Sequence, residues 1–160
     1  METPERKNVR ISDFDYAAAN YYFVTLCADK RRNIFSTVRR DVILSALGRM
    51  ADDTFSELEQ KFDVKVDRRT IMPDHIHFIL IVPAQRATAR GAPTLGRMIG
   101  AYKSVVAKKW RDYCRESGTA HFPIWQRNYY EHVIRNDRDL YETRQYIENN
   151  PLKLLQSSEK

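Results

Sequence analysis

Cysteine and long hydrophobic runs are both scarce in this 160-residue sequence. Cys27 and Cys114 are its only cysteines, and they lie far apart and outside any CxxC spacing. This usage is typical of reduced, buried thiols in a cytoplasmic protein. No stretch approaches the roughly 18 consecutive apolar residues of a membrane helix, and the polar N-terminus lacks the apolar core of a signal peptide. We therefore expect a cytoplasmic protein with no membrane partner.

The length and composition are those of one folded domain. The chain is long enough to bury a substantial core, and its 42% hydrophobic and 30% charged residues lie close to the values of globular proteins. We predict a single domain over residues 1–160, with a polar N-terminal arm at 1–19 and a short tail at 151–160. The net charge of +6 and the pI of about 9.4 favour an anionic partner, nucleic acid or another surface, although charge alone does not distinguish them.

Apolar periodicity predicts the element order β-α-β-β-α-β-α. Strands are predicted at residues 21–27, 62–67, 70–82 and 131–134, with the third interrupted at 72–74 and a turn at 68–69 before it. Helices are predicted from residue 36 or 37 to 50, from 94 to 116 and from 137 to 150. This order indicates a ferredoxin-like α+β domain, an antiparallel sheet with helices packed on one side.

Capping residues set the predicted ends of the two later helices. Gly118 is the predicted left-handed stop of the second helix, and Asn136 or Asp137 is the predicted cap of the third. Pro151 disfavours helical geometry at the residue before it, so the third helix is expected to end near Asn150.

Two histidines lie two residues apart in the third predicted strand. Side chains alternate between the faces of a strand, so His75 and His77 project to the same side and Ile76 to the other. Their Cα atoms are then about 6–7 Å apart, and both imidazoles can reach one metal ion. The alternative is that two histidines line a polar face by chance. With only four histidines in the chain, their placement beside a Pro-Asp break favours the metal site.

The last predicted helix places Tyr146 and Asn150 one turn apart on the same face. A tyrosine hydroxyl beside an amide oxygen can put a nucleophile next to a third metal ligand. A phenol with a pKa of about 10 is a poor nucleophile until its pKa is lowered or its target is polarised, and a metal ion on a phosphate polarises the target. Spacing alone favours the simpler alternative, in which Tyr146 is an amphipathic-helix residue and Asn150 a C-cap.

Three blocks of the sequence form an ordered pattern. They are residues 72–79 (MPDHIHFI), 124–136 (IWQRNYYEHVIRN) and 146–153 (YIENNPLK). The pattern resembles the single-tyrosine, IS200-like transposases of the HUH class, in which U is a hydrophobic residue, and among them the REP-associated tyrosine transposases. The resemblance spans roughly residues 20–153 and implies the HUH nuclease fold for the domain.

The resemblance also implies the site and its chemistry. His75, His77 and the side-chain oxygen of Asn150 would ligate Mg²⁺ or Mn²⁺, with Tyr146 as the catalytic nucleophile. Family members more often carry glutamine at the third-ligand position, and asparagine is one carbon shorter, so here the helix must lie closer to the strand. The implied activity is endonucleolytic nicking and strand transfer of single-stranded or hairpin DNA through a 5′-phosphotyrosine intermediate.

Nine cations are candidate DNA-binding residues. Seven of them lie between residues 86 and 111, a stretch without an acidic residue, and two lie in the block before the last helix. The alternative is a solvated helix face, the usual location of scattered charges. The nine candidates are Arg86, Arg90, Arg97, Lys103, Lys108, Lys109, Arg111, Arg127 and Arg135.

Three other functions fit parts of the pattern. A replication-initiator HUH endonuclease would use the same chemistry, but the short chain has no helicase or second domain. A catalytically inactive or regulatory hairpin-DNA-binding protein would not need the intact set of His75, His77, Tyr146 and Asn150. A zinc hydrolase would use the histidine pair with His132 or an acid, and metal analysis would identify it. The sequence does not decide between a monomer and a homodimer.

Overall fold

The computed structural model describes residues 19–84 and 91–158. Within these ranges, no helix has both the length and the apolar character needed to cross a membrane. A single 3₁₀ turn at Asp29–Arg31 follows the first strand. The strands are β1 (Ala19–Cys27), β2 (Ser36–Val38), β3 (Val42–Leu44), β4 (Lys65–Ile71), β5 (His75–Pro83) and β6 (Tyr130–Ile134). The helices are α1 (Ala46–Phe62), α2 (Leu95–Ser117) and α3 (Asp137–Ser158).

Four strands form the central sheet in the order β4-β5-β1-β6, and each neighbouring pair is antiparallel. The β1-α1-β4 and β5-α2-β6 connections each skip one strand, which is the split βαβ arrangement of ferredoxin-like folds. The predicted α+β class is therefore confirmed, and the predicted element order holds for the four strands of the sheet and the three helices. One feature was not predicted, the hairpin of β2 and β3 that stands between β1 and α1.

Helices cover both faces of the sheet. Helices α1 and α2 pack on one face, where Phe78 belongs to the larger core. Helix α3 covers the other face, where Ile147 packs with Ile79 and Ile81. The expectation that helices pack on one side is wrong, because β5 is apolar on both faces and α3 covers the second one. His77 lies on the α3 face, since it alternates in phase with Ile79.

The first predicted helix is wrong over residues 36–44. Those residues form the β2-β3 hairpin, and α1 begins only at Ala46. The β-branched side chains of the hairpin suit strands better than helices. Ser45 then caps α1, because its Oγ accepts a hydrogen bond from the backbone N–H of Gly48 at 3.0 Å. The predicted helix joined the residues of the hairpin to the first turn of α1, because apolar residues recur at helical spacing across both.

The turn between β4 and β5 lies at residues 72–74 and not at 68–69. Arg68 and Arg69 continue β4, whose pairing with β5 shifts register between Val66 and Arg69. The interruption at Pro73 is thus a hairpin turn between two strands, where no ladder N–H is required of the proline. The turn is held by two backbone N–H groups from the segment before β2, which donate to the Pro73 carbonyl at 2.9 and 3.0 Å.

The predicted caps of α2 and α3 are confirmed. Gly118 ends α2 in the left-handed region, with φ of 69°. The Oδ1 atom of Asn136 accepts a hydrogen bond from the backbone N–H of Asp139 at 2.8 Å and so caps α3.

The predicted end of α3 near Asn150 is wrong, because the helix continues through Pro151. A proline inside a helix costs one hydrogen bond, since it has no N–H. The turn beyond it lines a cleft together with residues 72–75 of the β4-β5 hairpin.

Gly48→Ala is expected to destabilise the fold, because the added Cβ would lie 2.0 Å from the carbonyl oxygen of Phe35. Backbone on one side must move, and we expect the free energy of unfolding to fall by about 2–3 kcal/mol. Gly100→Ala in α2 is the matched control, since its Cβ would meet nothing within 4 Å. There we expect stability to rise by up to about 1 kcal/mol. Urea unfolding measures both variants, and equal midpoints would contradict the close approach of α1 to Phe35.

Candidate active site

The two histidines of β5 lie side by side on the face that α3 covers. The ring centroids of His75 and His77 are 4.4 Å apart. Across the antiparallel pairing with β1, Cys27 is the partner of His75 and Thr25 is the partner of His77. The strand β5 therefore presents two imidazoles to a common space, beside the C-terminal end of β1.

The His77 ring has one nitrogen engaged and one without a partner. Its Nδ1 lies 2.8 Å from Oγ1 of Thr25, whereas its buried Nε2 has no hydrogen-bond partner among the described residues. The pKa of His77 is lowered to about 3, chiefly because burial disfavours the charged ring; the interactions with His75 and Arg31 act in the same direction, and the Asp74 carboxylate opposes them. A neutral imidazole with an unused buried nitrogen is what a metal ligand requires. The residues present therefore fit a metal ion.

A cleft of about 350 Å³ lies next to His75, and α3 forms its other wall. Asn150 and Lys153 of α3 line this cleft together with His75 and Asp74. Because Asp74 Oδ1 lies 2.6 Å from Nδ1 of His75, Nε2 is the nitrogen of that ring left for a metal. The side chains of a histidine and an asparagine thus border the same cleft.

Tyr146 lies on α3 directly against the histidine pair. Its ring centroid is 5.3 Å from that of His77 and 5.9 Å from that of Phe23 on β1. Tyr146 is 42% exposed, so a large substrate can reach it. The ammonium of Lys153 lies 5.2 Å from the centre of the tyrosine ring. The structure thus brings the predicted nucleophile against His77, with His75 and Asn150 at the neighbouring cleft.

An ion pair docks α3 on β4 two residues before Tyr146. The Arg144 guanidinium donates to both carboxylate oxygens of Asp67, at 2.7 and 2.9 Å. The side chains are 18% and 4% exposed, so the pair is shielded from water. Arg68 and Glu148 form a second, more exposed pair between the same two elements. The first pair has no signal in the sequence, because it depends on the approach of residues 77 positions apart.

Arg144→Met is expected to lower the free energy of unfolding by about 3 kcal/mol, because it leaves the buried Asp67 carboxylate without its main partner. Arg68 is a weak substitute, since its Nη1 lies 3.8 Å from Asp67. Arg68→Met is the matched control, and its more exposed pair with Glu148 is expected to contribute at most about 1 kcal/mol. Urea unfolding of the two variants tests the difference, and equal effects would show that the shielded pair does not anchor α3.

Five of the predicted DNA-binding cations lie on α2, on the sheet face opposite to Tyr146. Lys103 Nζ donates to the carbonyl of Gln126 at 2.9 Å, and burial lowers its pKa. Lys109 contacts Thr54 and Glu57 of α1. Several of these charges are therefore engaged within the molecule. The five are Arg97, Lys103, Lys108, Lys109 and Arg111.

The other predicted DNA-binding residues fall into two groups. Arg127 and Arg135 are exposed and flank β6, the strand that borders β1 on the far side from β5. Arg86 and Arg90 lie outside the described residues. Of the seven candidates within the described residues, none has a recorded contact with Tyr146 or the histidine pair, whereas Lys153, which was not among the nine, lies over the Tyr146 ring.

His132 of β6 has a structural partner on α3. Its Nε2 lies 2.9 Å from Oδ2 of Asp139. In residues 19–84 and 91–158, no group of three or more His, Cys, Asp or Glu side chains is arranged to hold a metal ion. The described part of the chain therefore does not provide the third ligand that a zinc hydrolase would need.

Three residues at the site were missed by sequence reasoning. Lys153 lies seven positions after Tyr146, which is two helical turns on the same face, but the predicted helix end at Asn150 hid this signal. Thr25 faces His77 only through the register of β1 and β5, which the sequence does not fix. Asp74 directly precedes His75, yet only the structure shows that its carboxylate turns back to the ring.

Known proteins resemble this chain in sequence and in fold. A Haemophilus influenzae protein of uncharacterised function is 28% identical over 164 residues, covering 92% of this chain and 88% of that protein. A second Haemophilus influenzae protein, assigned as a REP-associated tyrosine transposase, is 26% identical over 145 residues, covering 87% and 74%.

Two solved structures share the fold. One is a REP-associated tyrosine transposase bound to a REP hairpin, with 20% identity, a TM-score of 0.59 and coverage of 84% of this chain and 67% of that one. The other is a Deinococcus radiodurans R1 protein assigned as a transposase, with 15% identity, a TM-score of 0.54 and coverage of 88% and 95%. The family model for IS200-like transposases matches residues 17–150, so the chain belongs to this family and its function is of the transposase type, on DNA.

Proposed function

We propose that this chain cuts and rejoins single-stranded or hairpin DNA through a covalent phosphotyrosine on Tyr146. The observation that carries the proposal is the contact of the Tyr146 ring with His77, at 5.3 Å between centroids, beside a cleft lined by His75 and Asn150. Membership of the IS200-like family supports strand transfer. The REP hairpin bound by the related transposase supports a hairpin as the substrate.

In this proposal His75, His77 and Asn150 hold Mg²⁺ or Mn²⁺. The unused buried Nε2 of His77 supports the assignment, and so does the presence of Asn150 at the cleft next to His75. Imidazole and oxygen donors suit divalent ions of this kind. When bound, the ion supplies positive charge that stabilises the negative charge developing on the phosphate oxygens.

Tyr146 forms and later releases the covalent bond. Its oxygen attacks the phosphorus in line, the bond from phosphorus to the 3′ oxygen breaks, the phenol proton passes to water and the 3′ oxygen gains a proton. The products are a 5′-phosphotyrosyl protein and a free 3′-OH. Attack by another 3′-OH reverses the step and joins strands. The phosphotyrosine keeps the energy of the phosphodiester bond, so no ATP is consumed.

Lys153 holds the DNA backbone beside the nucleophile in this proposal. Its ammonium lies 5.2 Å from the Tyr146 ring centre, and its side chain lines the cleft that contains Asn150 and His75. A phosphate that enters the cleft therefore meets a positive charge next to the phenol. Such a contact fixes the position of the backbone without reading the base sequence.

The seven sequence candidates within the described residues take a more distant role. We propose that they contact parts of the hairpin away from the cleaved phosphate, because those on α2 lie across the sheet from Tyr146. Arg97 and Arg111 are exposed on α2, and Arg127 and Arg135 are exposed beside β6. Each phosphate neutralised would add to the salt dependence of hairpin binding.

The domain boundaries and the cellular location of the protein are proposals as well. We propose one domain over residues 1–160, in which Ala19 already belongs to β1 and residues 151–158 belong to α3. The arm before Ala19 lies outside the described residues. A cytoplasmic location stays a prediction.

Incubation with a labelled library of single-stranded hairpins and Mn²⁺, followed by denaturing electrophoresis, tests the function. We expect a protein–DNA adduct that survives denaturation and that EDTA prevents. Hairpin binding without an adduct would contradict the proposal and leave the catalytically inactive DNA-binding protein. Tight zinc binding without DNA cleavage would contradict it in favour of the zinc hydrolase.

A further inference from the structure

We infer that Asp74 and Arg31 fix the proton of the His75 ring on Nδ1, and that they thereby direct its Nε2 to the metal. The three residues Arg31, Asp74 and His75 are called the Asp74 clamp below. The inference rests on the proposed metal site and deepens it. Asp74 is then a positioning residue, which acts through His75 and does not itself bind the ion or the DNA.

The two oxygens of Asp74 have separate partners. Oδ1 lies 2.6 Å from Nδ1 of His75, and Oδ2 accepts a hydrogen bond from Nε of Arg31 at 3.0 Å. Nη1 of Arg31 reaches Sγ of Cys27 at 2.8 Å, and Cys27 is the strand partner of His75. The side-chain contacts therefore run from His75 through Asp74 and Arg31 to Cys27, which is the strand partner of His75.

The backbone around the Asp74 clamp is held on several sides. The Asp74 carbonyl accepts a hydrogen bond from the N–H of Ala28 at 2.9 Å, and Met72 donates to the carbonyl of His75 at 2.8 Å. Pro73 between them has a fixed φ and a carbonyl that accepts two further hydrogen bonds. Because the turn is fixed at both ends, the backbone of Asp74 keeps its position beside the His75 ring.

The negative charge of Asp74 determines which nitrogen of His75 carries the proton. A carboxylate that accepts from Nδ1–H makes that tautomer the stable one, leaves a lone pair on Nε2 and raises its basicity toward a metal. Arg31 occupies the second oxygen and so keeps Asp74 turned toward the ring. His77 has only the neutral hydroxyl of Thr25 in the equivalent place. The two imidazoles are thus supported unequally, and His75 has the charged support.

The first test reads the tautomer without metal or DNA. Long-range ¹⁵N–¹H correlation spectra of the ¹⁵N-histidine-labelled protein at about pH 8, where a free imidazole is neutral, show which nitrogen of His75 carries the proton. We expect Nδ1 in the wild type and a mixture of tautomers in Asp74→Ala. A His75 proton on Nε2 in the wild type would overturn the inference.

The second test reads metal affinity. Titration with Mn²⁺, followed by electron paramagnetic resonance of the free ion, is expected to show affinity reduced roughly 10- to 100-fold in Asp74→Ala. Arg31→Met should lose at most about fivefold, because Arg31 acts through a partly exposed pair. Unchanged affinity in Asp74→Ala would overturn the inference.

Asp52→Ala is the matched control for the titration. Asp52 forms a similar ion pair with Arg69, at 2.6 Å. This pair lies on the face of the sheet that α1 covers, where the Arg69 guanidinium lies over the Phe55 ring. It removes one carboxylate without touching His75, so Mn²⁺ affinity should stay within about twofold of wild type. If the wild type itself bound no Mn²⁺, the proposed metal site would fail, while the tautomer spectra would still decide the Asp74 clamp.

Discussion

Replacing Tyr146 with phenylalanine is expected to abolish covalent attachment of DNA while leaving hairpin binding unchanged. The change removes one oxygen and keeps the ring, which packs against His77 and Phe23 at 5.3 and 5.9 Å. Since these contacts survive, α3 keeps its position and the loss is chemical. We expect adduct formation to fall by more than about a thousandfold. Denaturing electrophoresis with labelled hairpin DNA and Mn²⁺ measures the adduct, and fluorescence anisotropy measures binding.

Tyr141→Phe is the matched control for this result. Tyr141 lies on the same helix and is 43% exposed, against 42% for Tyr146, so the two changes alter a similar surface. The control should form the adduct at the wild-type rate. An undiminished adduct in Tyr146→Phe would mean that another residue is the nucleophile. Tyr130 would be examined first, because its ring lies 6.2 Å from that of Phe23 on the same face.

The histidine pair could be predicted because it depends on one local rule. Side chains two residues apart in a strand share a face, whatever the rest of the fold does. The structure keeps His75 and His77 together for that reason, with 4.4 Å between ring centroids. The same rule could not tell which face α3 would cover, because β5 is apolar on both faces and alternation alone does not rank them.

The errors in the helices come from assignments made on local preference. Residues 36–44 are decided instead by contacts with distant residues. Ser36 Oγ donates to the Ile71 carbonyl at 2.9 Å, which ties the β2-β3 hairpin to the end of β4. Local propensity is too weak to outweigh such contacts.

The basic stretch shows why charge in the sequence does not locate a site. Its members cluster in the chain, but α2 carries five of them on the sheet face away from Tyr146, and Lys103 is engaged with the Gln126 carbonyl. Lys153 lies alone in the sequence and yet reaches the Tyr146 ring. Helix α3 decides this placement, and the pair of Arg144 and Asp67, which no local pattern indicates, joins α3 to β4.

Replacing His77 with asparagine is expected to remove metal binding and metal-dependent nicking together. His77 is buried between Thr25, Phe23 and Tyr146, and its Nε2 has no other partner among the described residues. Asparagine keeps a polar group for Thr25 but withdraws the ring nitrogen. We expect Mn²⁺ affinity to fall by more than about a hundredfold, beyond the loss typical of a residue outside the ligand set. Electron paramagnetic resonance measures the free ion, and the hairpin adduct assay measures nicking.

His132→Ala is the control that shows whether the loss of metal binding is specific to His77. His132 pairs in register with Phe23 on the same sheet face, but its Nε2 is engaged with Asp139. If the metal lies between β5 and α3, removal of His132 should leave Mn²⁺ affinity and nicking at the wild-type level. Equal losses in the two variants would instead make His132 a ligand and revive the zinc hydrolase. Loss in His77→Asn alone would confine the site to the strand and helix that carry the histidine pair and Tyr146.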